Sequence, residues 1–423
     1  MQQDPSAHPT RPGLRPSPSE PARPVQGSHE VGWPFPDHLH HSQAADGDTI
    51  PKRPYQDVDF DVSPFTLAWE ITRACALRCL HCRAEAQPRR DPRELTAEEG
   101  FRLIDQIAAT GSPILVVTGG DPMMRRDVFD FISYAAKDKG LRVALAPSAT
   151  KLVTSAALEK AREAGALRVQ ISLDGSGPEV HDSFRGFTGS FQRTTEIMAD
   201  LAELGVGLQV GTTVSRRNLQ DLPRIMELVA RYEAVMWNLF FLVPTGRGAL
   251  EDVISPQEHE EVFHWMYETA RTAPFDIRTT AAQHYRRVVI QRRRAEAAQE
   301  RADAPLFLTG AGYSFQDGLG QAVKGVNDGN GFAFIDHVGN VCPSGFLQLP
   351  AGNVRRQSFT EIYRHSPLFR DLRDYSRLKG KCGLCDFREV CGGSRARAFA
   401  VTGDYLESDP YCVYMPPAAG GSA

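Results

Sequence analysis

The chain has 423 residues, a formal net charge of −4, 41% hydrophobic and 24% charged residues. That length suits about two or three domains with a real core, and the near-balanced charge excludes the basic surface of a general nucleic-acid binder. No uncharged apolar run is long enough to span a membrane, and the opening Met1-Gln-Gln-Asp-Pro5 lacks the apolar stretch of a secretion signal. Taken in chain order, residues 1–60 are rich in Pro, His, Ser and Asp with little apolar periodicity, and read as a disordered tail. Within them Asp37-His-Leu-His-His41 could bind a stray metal, but a flexible polar tail is the simpler account.

From Phe65 onward short β-type runs alternate with amphipathic helical runs. The strand candidates are residues 67–72, 114–118, 142–146, 168–173, 207–213 and 235–243. The helix candidates are residues 96–110, 126–139, 155–164, 189–204, 219–231 and 256–272. Strict alternation predicts an α/β fold with a parallel sheet and right-handed crossovers over residues 61–272. Residues 273–330 are less regular and read as a bridging segment. Its basic stretch at 286–297 reads first as a solvated helix face, with an anionic-substrate or partner patch as the alternative. Residues 329–342 predict a β-hairpin turning at His337-Val-Gly-Asn340, and it opens a cysteine-rich, loop-like region over 331–417.

All eight cysteines fall in two regions, which predicts metal sites in a reducing, cytoplasmic compartment rather than a disulfide framework. The first region is Cys75-Ala-Leu-Arg-Cys79-Leu-His-Cys82, a C-x3-C-x2-C triplet directly after the first strand. Three thiolates can hold three corners of a cubane iron–sulfur cluster and leave the fourth iron open. An open iron is a place for chemistry, as the open position is on a catalytic zinc. The plain alternative is a zinc knuckle or three buried thiols. A zinc ion would want a fourth ligand close by, and His81 lies inside the triplet where it could hardly serve.

The triplet, its place after strand one and the aromatic His81 resemble the radical SAM superfamily. That resemblance implies a partial (β/α)6 barrel and a [4Fe-4S] cluster whose open iron is chelated by S-adenosylmethionine. It further implies a one-electron donor such as ferredoxin or flavodoxin, and a 5′-deoxyadenosyl radical that abstracts a substrate hydrogen. Thr118-Gly119-Gly120-Asp121-Pro122 resembles the family's GGE-type motif, with Asp121 where Glu is more usual, and its glycines would let the backbone come close to a ligand. Ser172-Leu-Asp174-Gly resembles a motif lining the cofactor site, and Arg185 resembles the arginine set against the cofactor carboxylate. Thr213 and Asn218 are candidates for the ribose, and the Pro244-Thr-Gly246-Arg turn resembles one beside the adenine.

The second region, Cys382-x2-Cys385-x5-Cys391 with Cys412, matches a fully ligated cubane and equally an all-cysteine zinc site. It resembles the SPASM/twitch extension of radical SAM enzymes. Against the full SPASM pattern, Gln357 and Arg395 stand where two cysteines belong. One auxiliary cluster is therefore expected, held by Cys382, Cys385, Cys391 and Cys412, and Cys342 becomes an orphan thiol, either buried or facing a substrate cavity. The stretch from Cys391 through Arg395 and Arg397 to Cys412 resembles the branch acting on tetrapyrrole side chains in haem d1 synthesis and the alternative haem route. Arg395 and Arg397 could meet substrate carboxylates there or form local salt bridges. The alternatives are a peptide-modifying maturase and a zinc-binding scaffold. Tyr313, Tyr405 and His337 receive no role.

Overall fold

The computed structural model describes residues 55–56, 58–298, 321–322 and 325–417. Residues 1–54, including Asp37–His41, and Tyr313 lie outside them. The parallel sheet expected from the sequence is present. Strands β1 (Thr66–Glu70), β2 (Ile114–Thr118), β3 (Arg142–Leu145), β4 (Ala166–Ser172), β5 (Gly207–Val214) and β6 (Met236–Phe241) pair in sequential order. The helices between them are α1 (Ala97–Thr110), α2 (Val128–Ser133), α3 (Ser155–Ala164), α4 (Pro178–Arg185), α5 (Ser190–Glu203) and α6 (Leu222–Arg231).

Two features extend that expectation. After α7 (Pro256–Ala270) the chain adds β7 (Asp276–Thr280), parallel to β6 with Trp237 opposite Ile277. Its sequence, Asp-Ile-Arg-Thr-Thr, is too short and polar to stand out as an apolar run. Following α8 (Tyr285–Ala298), the expected hairpin forms between β8 (Phe332–Ile335) and β9 (Asn340–Cys342). It is no separate layer: β8 lies parallel to β1, with Phe334 opposite Ala68, on the side away from β2. With β10 (Gly352–Asn353), the described residues form one ten-stranded sheet in the order β10-β9-β8-β1-β2-β3-β4-β5-β6-β7.

Helix starts follow the local sequence. Thr96 and Glu99 close a capping box on α1, and Ser255 and Glu258 do so on α7 with Pro256 in its first turn. Such caps are worth about 1 kcal/mol each. Alternate strand residues face the helices and are fully buried, as Leu67, Trp69, Val169, Ile171, Trp237 and Leu239 show. Trp69 packs on Phe131 at 5.0 Å between ring centroids. The opposite face is unlike that of most parallel sheets, whose two faces are both apolar. It carries Gln170 and Gln209, which share a 2.6 Å hydrogen bond, and Asn238 with Thr280 at 3.2 Å. There the polar side chains pair with one another across the strands instead of packing as an apolar core.

Beyond the hairpin, α9 (Phe359–His365), α10 (Pro367–Arg373) and α11 (Arg395–Thr402) complete the C-terminal region. Among the described residues no helix is long and apolar enough to cross a membrane.

Candidate active site at the cysteine loop and the C-terminal cysteine cavity

The loop from Arg73 to Glu85 leaves the C-terminal edge of β1, where parallel βα folds place their chemistry. Cys75 and Cys79 are buried and Cys82 is half-buried. Main chain from three other turns holds this loop. The amides of Gly120 and Asp121 donate to the carbonyls of Thr72 and Ala74, both at 2.7 Å. Leu80 N donates to Phe184 O at 3.0 Å, and Arg247 N to Cys82 O at 3.1 Å. A Cβ on Gly120 would stand 2.5 Å from Ala74 O and 2.6 Å from Arg73 O; one on Gly119 would meet Thr72 O at 2.7 Å. Gly186 and Gly246, both at positive φ, come equally close to the carbonyls of Arg78 and Cys82.

Glycine in the 119–120 turn thus has a second reason beside the approach of a ligand. In this structure the close approach is to the cysteine loop itself. Replacing Gly120 by Ala is expected to displace that loop and cut iron retention at the triplet severalfold. Gly177→Ala, whose methyl meets nothing within 4 Å, is expected to leave it unchanged. Iron per chain in the two purified variants checks this.

Asp121 is fully buried, and its carboxylate accepts from Thr150 Oγ1 at 2.7 Å, Met123 N at 3.2 Å and Ser148 N at 3.4 Å. It braces the β3 edge against the turn that Pro122 begins. Ser148 Oγ in turn donates to Gly120 O at 2.7 Å and lies 3.5 Å from Cys75 Sγ. Arg247, a residue the sequence reading quoted without a role, donates through Nε to Cys79 O at 2.9 Å. Only the crossing of β6 back to the first loop shows why that position is basic. Pro244 is half-buried one turn earlier, and Gly246 brings the same turn onto the loop.

A second group gathers at the ends of β4 and β5. Asp174 is buried and accepts from Thr213 N at 2.7 Å, while Arg185 Nε stands 3.0 Å from its other oxygen. Arg185 also points Nη1 at Cys79 Sγ, 3.5 Å away. Burial opposes charge on both groups. Their mutual attraction outweighs it, holding Asp174 below and Arg185 above the usual value. His81 packs at a tilt on Phe184, 4.4 Å between ring centroids, and burial lowers it to about 4, so it is neutral. Asn218 is buried: Oδ1 accepts from Ser215 N, and Nδ2 donates to Asp174 O and Thr213 O at 3.0 and 2.8 Å. Its amide is thus engaged within the protein and shapes the turn beneath Asp174. Ser172 and Thr213 are half-buried at the strand ends.

The C-terminal cysteines converge. Cys382, Cys385, Cys391 and Cys412 line one cavity, together with His284, Arg287 and Lys381. Amide N–H groups point at the sulfurs: Asp409 N at Cys382, Phe387 N at Cys385 and Gly393 N at Cys391, each at 3.4 Å. Leu77 N meets Cys75 Sγ in the same way at 3.4 Å. Such donors stabilise sulfur anions and set the potential of iron–sulfur clusters. Burial pushes the Cys391 thiol up to about 12 and Cys412 up to about 11, so thiolates there need a bound metal's positive charge. Among the described residues no three His, Cys, Asp or Glu side chains close on a point as ligands of one ion do. A cubane instead ties each thiolate to a different iron, and the donor set fits that group.

Arg395 and Arg397 do not face a substrate. Both are fully buried. Arg395, which stands where a further cysteine was expected, donates to Tyr405 O and Glu407 O at 3.0 and 2.7 Å and lies 3.7 Å from Cys382 Sγ. Arg397 bonds Ala281 O and lies 3.2 Å from His259 Nε2 and 4.0 Å from Asp409. Arg397 takes the local ion-pair alternative with Asp409, whereas Arg395 is held by main-chain carbonyls, and both side chains tie α11 to neighbouring loops. Cys342 is 2% exposed, packed among Ala68, Phe334 and Val116, and burial raises its thiol strongly.

The radical SAM superfamily model matches residues 69–229, and the SPASM model, described as an iron–sulfur cluster-binding domain, matches residues 328–386. The AdoMet-dependent heme synthase of Methanosarcina barkeri is 42% identical over 354 residues, covering 84% of this chain and 97% of that one. This chain belongs to the radical SAM superfamily. A radical SAM enzyme uses S-adenosylmethionine and a [4Fe-4S] cluster, and the SPASM region adds iron–sulfur binding. The AdoMet-dependent heme synthase of Nitratidesulfovibrio vulgaris is 41% identical, covering 83% of this radical SAM chain and 92% of its own. Among solved structures, Streptococcus suis SuiB bound to its precursor peptide SuiA aligns with a TM-score of 0.60 at 14% identity, over 84% of this chain and 76% of that one. At that identity the likeness concerns the fold.

Proposed function

We propose that this radical SAM enzyme removes carboxylate side-chain carbon from an iron tetrapyrrole by oxidative decarboxylation. The observation that carries the reading is the 42% identity to an AdoMet-dependent heme synthase across 97% of its length. In this reading Cys75, Cys79 and Cys82 hold the catalytic cluster. Cys382, Cys385, Cys391 and Cys412 hold one auxiliary [4Fe-4S] cluster with no open iron. Ferredoxin or flavodoxin supplies the electron. When bound, the catalytic cluster and S-adenosylmethionine supply a hydrogen-abstracting 5′-deoxyadenosyl radical; the second electron released as carbon dioxide leaves would pass to a one-electron acceptor, for which the auxiliary cluster is the candidate.

The chain's own residues bind and orient. Gly119, Gly120, Asp121 and Pro122 fix the turn against the cysteine loop and offer backbone to the amino end of the cofactor. Arg185, held charged by Asp174, meets a carboxylate beside Cys79. Ser172 and Thr213 border the ribose, with Asn218 setting their turn, and Pro244 and Gly246 border the adenine. The half-polar sheet face with Gln170, Gln209 and Asn238 receives the substrate and keeps bulk water out. The chain organises as a barrel over residues 61–272, a bridging segment over 273–330 and a cluster domain over 331–417, joined by the β8–β1 pairing.

The test is anaerobic reconstitution with S-adenosylmethionine, dithionite and an iron tetrapyrrole carrying propionate arms. The expected result is 5′-deoxyadenosine well above the substrate-free background, with each altered arm losing carbon dioxide and two hydrogen atoms by mass. Unchanged tetrapyrrole in a sample with both clusters filled would move the choice to peptide modification.

A further inference from the structure

We infer that a cleft between the cysteine loop and the β8–β9 turn binds the carboxylate arms of the substrate, with Arg73 and Arg89 as the recognising groups. This rests on the tetrapyrrole reading and specifies where the acids of such a substrate are held. The cleft measures about 390 Å³, and Arg73, Gln87, Arg89, Arg93 and His337 line it. It adjoins the cysteine loop directly: Cys75 N donates to Gln87 O at 2.8 Å and Gln87 N to Arg73 O at 2.9 Å. An arm anchored there lies beside the stretch of main chain that carries Cys75.

The electrostatics favour an anion. At the cleft's inner end Glu70 is fully buried at the tip of β1. Burial alone would raise its pKa, but His337, Arg83 and Arg73 together bring it down to about 2, so it is a fixed carboxylate. It orients Arg73 by a 3.0 Å bond to Nε and Arg83 by one to Nη1 at 3.0 Å. One buried carboxylate thus positions two guanidiniums, and Arg73, 28% exposed, lines the cleft while its Nη2 lies 3.4 Å from Gln348 Oε1. Across the opening Arg93 is paired with Asp91 at 2.6 Å, and Asp91 lies 3.5 Å from His337. Arg89 is exposed and pairs with no carboxylate among the described residues. The cleft's own lining carries three guanidiniums (Arg73, Arg89, Arg93) against two carboxylates (Glu85, Asp91); behind it Glu70 is matched by Arg83, and Asp336 acts on Arg93, so Arg89 is the lining cation left without a carboxylate partner among the described residues. A prepositioned guanidinium suits a planar carboxylate through paired N–H donors.

The measurement is anaerobic binding of iron coproporphyrin III, which carries propionate arms, and of its methyl ester, followed by the shift in tetrapyrrole absorbance. The protein is the cluster-loaded enzyme and its Arg73→Gln and Arg89→Gln variants. Wild type is expected to bind the acid at least roughly tenfold tighter than the ester, and each variant to lose about tenfold for the acid alone. Weakening salt dependence in the variants accompanies that loss. Arg89 has no partner within the described fold, so its variant keeps the test clear should Arg73→Gln loosen the loop; iron content and S-adenosylmethionine binding report that separately. If the Arg89 and Arg73 variants bind the acid as wild type does, while wild type still discriminates against the ester, the acids are read elsewhere and this inference fails. If wild type binds neither form, the tetrapyrrole reading fails and takes the inference with it.

Discussion

Replacing Cys75, Cys79 and Cys82 together by Ala is expected to abolish 5′-deoxyadenosine formation and halve bound iron, from about eight to about four per chain. The loss is complete because the proposed open iron exists only if three separate thiolates hold the other corners. Cys385→Ala should show the converse. It loses the C-terminal iron while the uncoupled cleavage of S-adenosylmethionine persists, since the two cysteine groups share no ligand and lie in separate surroundings. Iron assay, electronic spectra and nucleoside chromatography on the same preparations give the answer. Zinc in place of iron in the wild-type protein would sink the redox assignment for both sites.

The second large effect concerns α11. Arg397→Met is expected to destabilise the protein by about 3–5 kcal/mol, the usual cost of leaving one member of a buried ion pair alone. That corresponds to a fall in melting temperature of roughly 4–7 °C for a chain of this size. The stranded group is Asp409, fully buried, whose carboxylate is opposed by burial but held well below its usual range by Arg397, His284 and the amides of Ser394 and Tyr411. A carboxylate with a lowered folded-state pKa stabilises fully above its unfolded value of about 4 and loses that contribution only as pH falls through the folded one. The deficit of the variant should accordingly be flat between about pH 5 and about pH 8 and shrink in strong acid. Calorimetry at several pH values measures it. A variant with unchanged melting but a raised KM for tetrapyrrole would restore the substrate-facing role that the buried geometry rejects.

The sheet and both cysteine groups were legible because their signals are local. Strand periodicity, the C-x3-C-x2-C and C-x2-C-x5-C spacings and the Gly119–Gly120 turn each occupy a few consecutive residues. What escaped was non-local. Arg247 reaches Cys79 across 168 positions, and β8 finds β1 across the whole barrel. Glu70 reads as one more strand residue until Arg73, Arg83 and His337 fold around it. Likewise, substrate carboxylates and local salt bridges stayed equally open for Arg395 and Arg397, because nothing in the local pattern records that they are enclosed by residues 259, 281 and 405–409. Gly120 gained a second reason in the same way: the glycine was visible, and the carbonyls of Arg73 and Ala74 packed against it were not.

The insertion of β8 alongside β1 constrains how the enzyme matures. The strand leading into the first cysteine loop is completed on one flank by β2 and on the other by residues 332–335. At translation speeds of about 5–20 residues per second, roughly tens of seconds separate their appearance from the ribosome. For that interval the edge of β1 lacks its second neighbour. If Cys75, Cys79 and Cys82 hold the catalytic cluster as proposed, a cluster loaded into the finished sheet is one acquired only after residues 332–335 have been made.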